Sequence, residues 1–143
     1  MMVASGAIMA FQAPINAALR GHVGTWESSL LSFIVGALVL AAVVLVAGKG
    51  DLGRIRALSA WHLVGGLIGA IFVTTSLVSA PVIGVTWMMV AGLAGQMVGA
   101  LAIDALGLVG MTKRPVDLPR AAGLALLVVS MILINWNAWK KSG

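Results

Sequence analysis

Residues 63–103 read LVGGLIGAIFVTTSLVSAPVIGVTWMMVAGLAGQMVGALAI, without a single Asp, Glu, Lys or Arg. These 41 residues are twice the roughly 20 that an α-helix needs to cross the hydrocarbon core of a bilayer. Pro81 and Gly84 fall near the middle and supply a turn, so the stretch reads as two membrane-spanning helices back to back.

The rest of the chain agrees. Of its 143 residues 61% are hydrophobic and 9% charged, against about a quarter charged in a soluble domain. A second uncharged window runs over residues 28–47. The pattern predicts five spans, at about 2–19, 28–47, 61–80, 82–103 and 121–139, with the third meeting the fourth at Pro81. The fold class is therefore an all-α integral membrane protein in one membrane domain, residues 1–143. No connection is long enough for a folded soluble domain, which places the function inside the membrane. The first span lacks a basic leader and a small-residue cleavage site, so it is read as a helix rather than a signal peptide.

Charge sets an expectation for orientation. If the N-terminus is cytoplasmic, Lys49, Arg54, Arg56, Lys113, Arg114 and Arg120 share that side, and Arg20, Lys140 and Lys141 lie opposite. Six against three favours a cytoplasmic N-terminus but is a small excess, leaving room for insertion both ways. The formal charge of +5 sits at helix ends, where it reads as topology signal and headgroup contact rather than a nucleic-acid surface. Trp26, Trp61, Trp136 and Trp139 mark the same boundaries as an interfacial belt, whereas Trp87 lies inside the fourth span.

Polar side chains within spans turn toward protein or a wet cavity, because lipid offers them no hydrogen bond. Ser5, Gln12 and Asn16 follow at i, i+7 and i+11 in the first span, with Pro14 between the amides weakening the local helix. Ser28, Ser32 and Gly36 follow at i, i+4 and i+8 in the second, Thr74, Thr75, Ser76 and Ser79 lie in the third, and Gln96 in the fourth. Gln12, Asn16, Ser32 and Gln96, with Trp87 able to stack on a cation, form a candidate solute-binding set. Hydrogen-bonded glue between helices is the competing reading of the same residues. Gly65 and Gly69 in the third span, and Ala91, Gly95 and Gly99 in the fourth, are small residues four apart that suit close helix packing.

The order of these features resembles the YdcZ-like family of small bacterial membrane proteins in the drug/metabolite transporter superfamily. The residues that carry it are FQAPINAAL in the first span, SFIVGALVL in the second and WHLVGGLIGAIFV in the third. Most specific is GQMVGALAIDALGLVG, leading to RPVDLPRAAGLALLVVSMIL. The resemblance implies the inner membrane, and a five-helix half that pairs into a ten-helix antiparallel, inverted-repeat dimer. The partner would be a second copy or an oppositely oriented paralogue, with the substrate site between the halves. Small multidrug exporters related to the family carry a glutamate in the first helix; here Gln12 and Asn16 stand instead, and neither titrates. Glu27 and Asp104 are the acids left as ion-coupling candidates, although Asp104, at a helix C-terminus, also suits an ion pair with the Lys113–Arg120 loop.

The expectation is a transporter of a small polar or cationic organic solute. The alternatives are a small ion channel, for which no ring of charge is visible, and a non-transporting subunit of a heterodimer. No cofactor or metal is expected. Nor is an enzyme, since no span holds a nucleophile with a base, and His22 and His62 fall on opposite sides of the membrane.

Overall fold

The computed structural model describes residues 1–142, with side chains described through Trp136. Those of Trp139, Lys140 and Lys141, which the sequence places at the close of the last span, lie outside the described residues. Six α-helices follow one another: α1 Met2–Met9, α2 Gln12–Val23, α3 Thr25–Ala47, α4 Val64–Ile83, α5 Val85–Leu106 and α6 Leu118–Ser142. Together they supply five stretches long and apolar enough to span a membrane: Met2–Val23, Thr25–Ala47, Ala60–Ile83, Val85–Leu106 and Leu118–Trp136. Long aliphatic side chains such as Leu38, Leu45 and Val46 are exposed, as a protein with lipid for a solvent requires.

The chain divides into two compact units, Met1–Val82 and Ile83–Gly143. In the first, span one is two helices rather than one. Pro14 has no N–H to give Ala10, and its ring crowds that carbonyl, so the helix fails there. The damage extends past the one missing rung. Ala10 N–H still reaches Gly6 O, Phe11 N–H tightens onto Ile8 O and Ile15 N–H reaches Phe11 O, while Ala10 and Phe11 keep right-handed helical dihedrals.

The helix ends depart from the sequence expectation in one consistent way. The predicted connection from Arg20 to Glu27 collapses to Gly24 alone, and Glu27 lies in the first turn of α3. Likewise Pro81 is carried inside α4, and the turn into α5 is Gly84 alone. Hydropathy marks where lipid stops, whereas the helix continues into the headgroup layer, where charged and polar residues are tolerated. The two turns share a backbone shape, φ 102° and ψ 167° at Gly24, φ 84° and ψ 151° at Gly84. That region is essentially closed to side chains, so glycine alone joins the helices in one residue. Both carbonyls start the next helix, accepting from Ser28 N–H and Met88 N–H at 3.1 Å.

In the second unit α5 ends at Gly107, a short 3-10 turn covers Leu108–Gly110, and an extended segment leads to α6. Asp117 caps α6, its Oδ1 accepting from Arg120 N–H at 3.0 Å. The loop of the first unit opens in the same manner, with Asp51 Oδ1 accepting from Gly53 N–H at 2.9 Å.

Candidate functional site

A polar cluster ties together the first unit at hydrocarbon depth. Asn16 is buried in α2, seven residues or about 10 Å from that helix's end at Val23. Ser32 lies equally far from the start of α3 at Thr25 and donates its hydroxyl to Asn16 Oδ1. Ser28, one turn nearer the turn glycine and fully buried, donates to the Asn16 main-chain oxygen at 2.8 Å. The amide's remaining group is unspent: Asn16 Nδ2 is buried with no acceptor. An unmade hydrogen bond there costs on the order of 1–3 kcal/mol, so this donor is the least settled atom of the cluster.

A second set of hydroxyls links α3 to α4. Thr74 Oγ1 lies 2.8 Å from both Ser29 Oγ and Ala70 O, and Ser29 Oγ lies 3.2 Å from Thr25 O. Two hydroxyl protons serve three contacts, so one of the three is without a proton in any one arrangement. Beside them α3 and α4 frame a groove of about 410 Å3, lined by apolar side chains including Trp26, Phe33, Leu67 and Ile71, with Ser29 and Thr74 as polar points.

The residues singled out in the sequence divide accordingly. Asn16 and Ser32 are brought together. Gln12, one turn before Asn16 on the same helix, is exposed. Ser5 lies across the break on α1, where it donates to Met1 O, so the break cuts the expected polar stripe. Glu27 is exposed and folds back over Gly24, its Oε2 occupying the place a Cβ there would take. Gly69 meets the Phe33 ring, 3.5 Å from where its Cβ would stand, while Gly65 has open space.

In the second unit Gln96 is exposed and Trp87 half-buried. Nine residues apart, they point to opposite sides of α5. Ala91, Gly95 and Gly99 are also exposed, and a Cβ at either glycine would meet nothing within 4 Å. Asp104 is engaged: Arg120 Nη1 lies 3.4 Å from its Oδ2, and Arg114 N–H donates to its main-chain oxygen at 2.7 Å. The cation that compensates the carboxylate at this helix end comes from the start of α6, within the expected loop.

Sequence reasoning missed Ser28 as a direct partner of Asn16, although its i, i+4 relation to Ser32 signals a shared face. The Ser29–Thr74 contact left no such signal, because hydroxyls in membrane helices commonly satisfy themselves on their own backbone.

Gln12 and Gln96 have one more property in common. Each occupies the centre of a 22-residue span, Gln12 eleventh in Met2–Val23 and Gln96 twelfth in Val85–Leu106. Five apolar spans joined by short connections define a polytopic membrane protein. The chain belongs to the family described as "Putative inner membrane exporter, YdcZ", of the drug/metabolite transporter type, whose model matches residues 1–133. It is a multi-pass inner-membrane transport protein. No curated protein and no solved structure matches it.

Proposed function

We propose that this protein moves a small polar or cationic organic solute across the inner membrane, outward as the family's description has it. In this reading it works as an antiparallel dimer with its cavity between the subunits.

The observation that carries the proposal is the exposure of Gln12 and Gln96 at the centres of their spans. A glutamine bared to hydrocarbon is expensive, so a second chain or a wet cavity covers it. The centre is also the one depth that inversion leaves unchanged. In an antiparallel pair the mid-span glutamines of both subunits stay level, and one site can face either side in turn. The small excess of six basic residues against three suits a chain inserted both ways.

Roles follow for the other residues. Asn16 and Ser32 brace α2 against α3 behind Gln12, with Asn16 Nδ2 available to the cavity. Trp87 faces away from Gln96 and packs rather than binds. Ala91, Gly95 and Gly99, lying open on α5, receive a helix of the partner, as Gly65 does on α4. Asp104, held by Arg120, fixes a loop, which leaves Glu27 as the acid available for ion coupling.

Two measurements test the reading together. Reporters fused to the C-terminus, one active only in the cytoplasm and one only outside the inner membrane, should both light up. Purified protein in liposomes should take up labelled methylammonium or choline saturably. A single active reporter overturns the homodimer and directs the search to an oppositely oriented paralogue. An ion leak that collapses a gradient within seconds, without saturable uptake, overturns the transporter in favour of a channel.

A further inference from the structure

Residues 48–59 run between Ala47, where the second span ends, and Ala60, where the third begins. Both ends of the segment are thereby fixed at the same face of the membrane. Within it Leu52–Ala57 form a 3-10 helix. Asp51 opens the helix, its Oδ1 accepting from Gly53 N–H at 2.9 Å, and Leu58 N–H closes it on Ile55 O at 3.2 Å.

A 3-10 helix has three residues per turn, so side chains three apart stand directly above one another. Leu52 and Ile55 share one edge on this count, and Leu58 continues it at the cap. The three are 75%, 50% and 51% exposed. The arginines fall on the other two edges, Arg54 with Ala57 and Arg56 with Gly53.

The chain itself leaves the aliphatic edge bare. No residue of the 3-10 helix is buried, and among the described residues the hydrogen bonds and ion pair of residues 51–58 all stay within that stretch. Aliphatic side chains stacked on one edge are unfavourable in water. The apolar phase they can reach is that of the bilayer, because both ends of the segment lie at its surface. Trp61, three residues past Leu58 and also exposed, marks the same level as an interfacial aromatic. Charge decides the kind of lipid. Lys49, Arg54 and Arg56 stand against one acid, Asp51. That acid takes Arg54 at 3.6 Å, whereas Lys49 and Arg56 have no ion pair among the described residues.

We propose that residues 49–58 are a surface anchor that lies along the bilayer and binds anionic phospholipid. Leu52, Ile55 and Leu58 enter the upper acyl chains, and Lys49 and Arg56 meet the phosphates. An amphipathic segment in the interface plane draws its strength from buried apolar area and from attraction to anionic lipid together. The anchor holds the end of α3 and the start of the third span at headgroup level, and it does not depend on what the protein transports.

Because the chain has no cysteine, single thiols can report each edge. Leu52→Cys, Ile55→Cys and Leu58→Cys probe the stripe, Ala57→Cys lies off it, and Gly50→Cys precedes the helix. All are made in the full-length protein in phosphatidylglycerol vesicles. A membrane-impermeant maleimide should label positions 52, 55 and 58 about tenfold more slowly than 50 and 57, what burying one aliphatic side chain gives. The five positions share one loop, so the ratio is independent of which way the chain inserts. A doxyl group in the upper acyl chain should quench a fluorophore at position 55 more than one at position 57. Lys49→Gln and Arg56→Gln should each weaken the protection at position 55 about fivefold, the worth of one basic residue at an anionic surface. Phosphatidylcholine vesicles should weaken it too. Equal labelling at all five positions overturns the anchor. Protection without quenching by the lipid overturns it in favour of a protein cover, such as a second copy of the chain. Protection that survives both charge removal and phosphatidylcholine overturns the anionic lipid.

Discussion

Ser32 donates to the side-chain oxygen of Asn16, sixteen residues earlier, and so fastens the second half of a broken span to its neighbour. Neither residue lies at a helix end, and each satisfies a group that lipid would leave bare. The contact is unequal: Asn16 Oδ1 has its donor while Nδ2 has no acceptor.

That inequality orders a set of substitutions. Ser32→Ala leaves a buried oxygen bare and should destabilise the protein by about 1–2 kcal/mol. Ser28→Ala removes a donor from a carbonyl already inside a helix and should cost about 0.5 kcal/mol, near the average for membrane hydrogen bonds. Reversible unfolding in mixed micelles measures both. Equal losses would mean that the Asn16 side chain contributes nothing to the α2–α3 contact.

Asn16→Leu should separate stability from activity. It deletes the unpartnered Nδ2 along with the satisfied Oδ1, so stability should change by less than about 1 kcal/mol. Saturable uptake of choline, whose hydroxyl oxygen can accept from Nδ2, should fall at least tenfold if that donor serves the solute path. A stable variant with full uptake would assign the cluster to glue alone.

The two single-glycine turns predict a contrast. Gly24→Ala and Gly84→Ala both force a side chain into a backbone region that costs about 1–3 kcal/mol. At Gly24 the new methyl also meets the Glu27 carboxylate, whereas at Gly84 it meets nothing within 4 Å. Gly24→Ala should therefore be the worse of the two, and Glu27→Ala should recover the difference without recovering the rest. A double-mutant cycle on unfolding free energies reads the coupling; no coupling would remove the steric part of the argument.

How much of this was legible beforehand depends on which physical signal each feature leaves. The five spans were plain because a missing charge over 41 residues is visible to any reader of residues 63–103. Their ends were not, since Arg20, His22 and Glu27 stop a hydropathy window but not a helix. Pro14 announced a weak place in the first span, yet one proline accounts for one lost rung and gives no hint that Phe11 N–H tightens onto Ile8 O. Asn16 and Ser32 could be named as polar residues facing inward, but their pairing depends on a turn of one residue at Gly24 that the sequence presented as a longer loop. Gln12 and Gln96 stood out by chemistry, and the helix ends of the structure place both at the centres of their spans.

Asp104 and Glu27 should part company under neutralisation. Asp104 and Arg120 are about a third exposed at the side chain, so Asp104→Asn should cost no more than about 1 kcal/mol. It should loosen the Gly107–Asp117 segment, seen as faster amide exchange at Arg114, while uptake persists. Glu27→Gln should leave stability nearly unchanged, because no ion pair holds that carboxylate among the described residues, and should abolish any dependence of uptake on an imposed proton gradient. If Asp104→Asn removes that dependence instead, the Arg120 pair is a working part of transport rather than a loop anchor, and the acid that couples the protein stands at the end of α5.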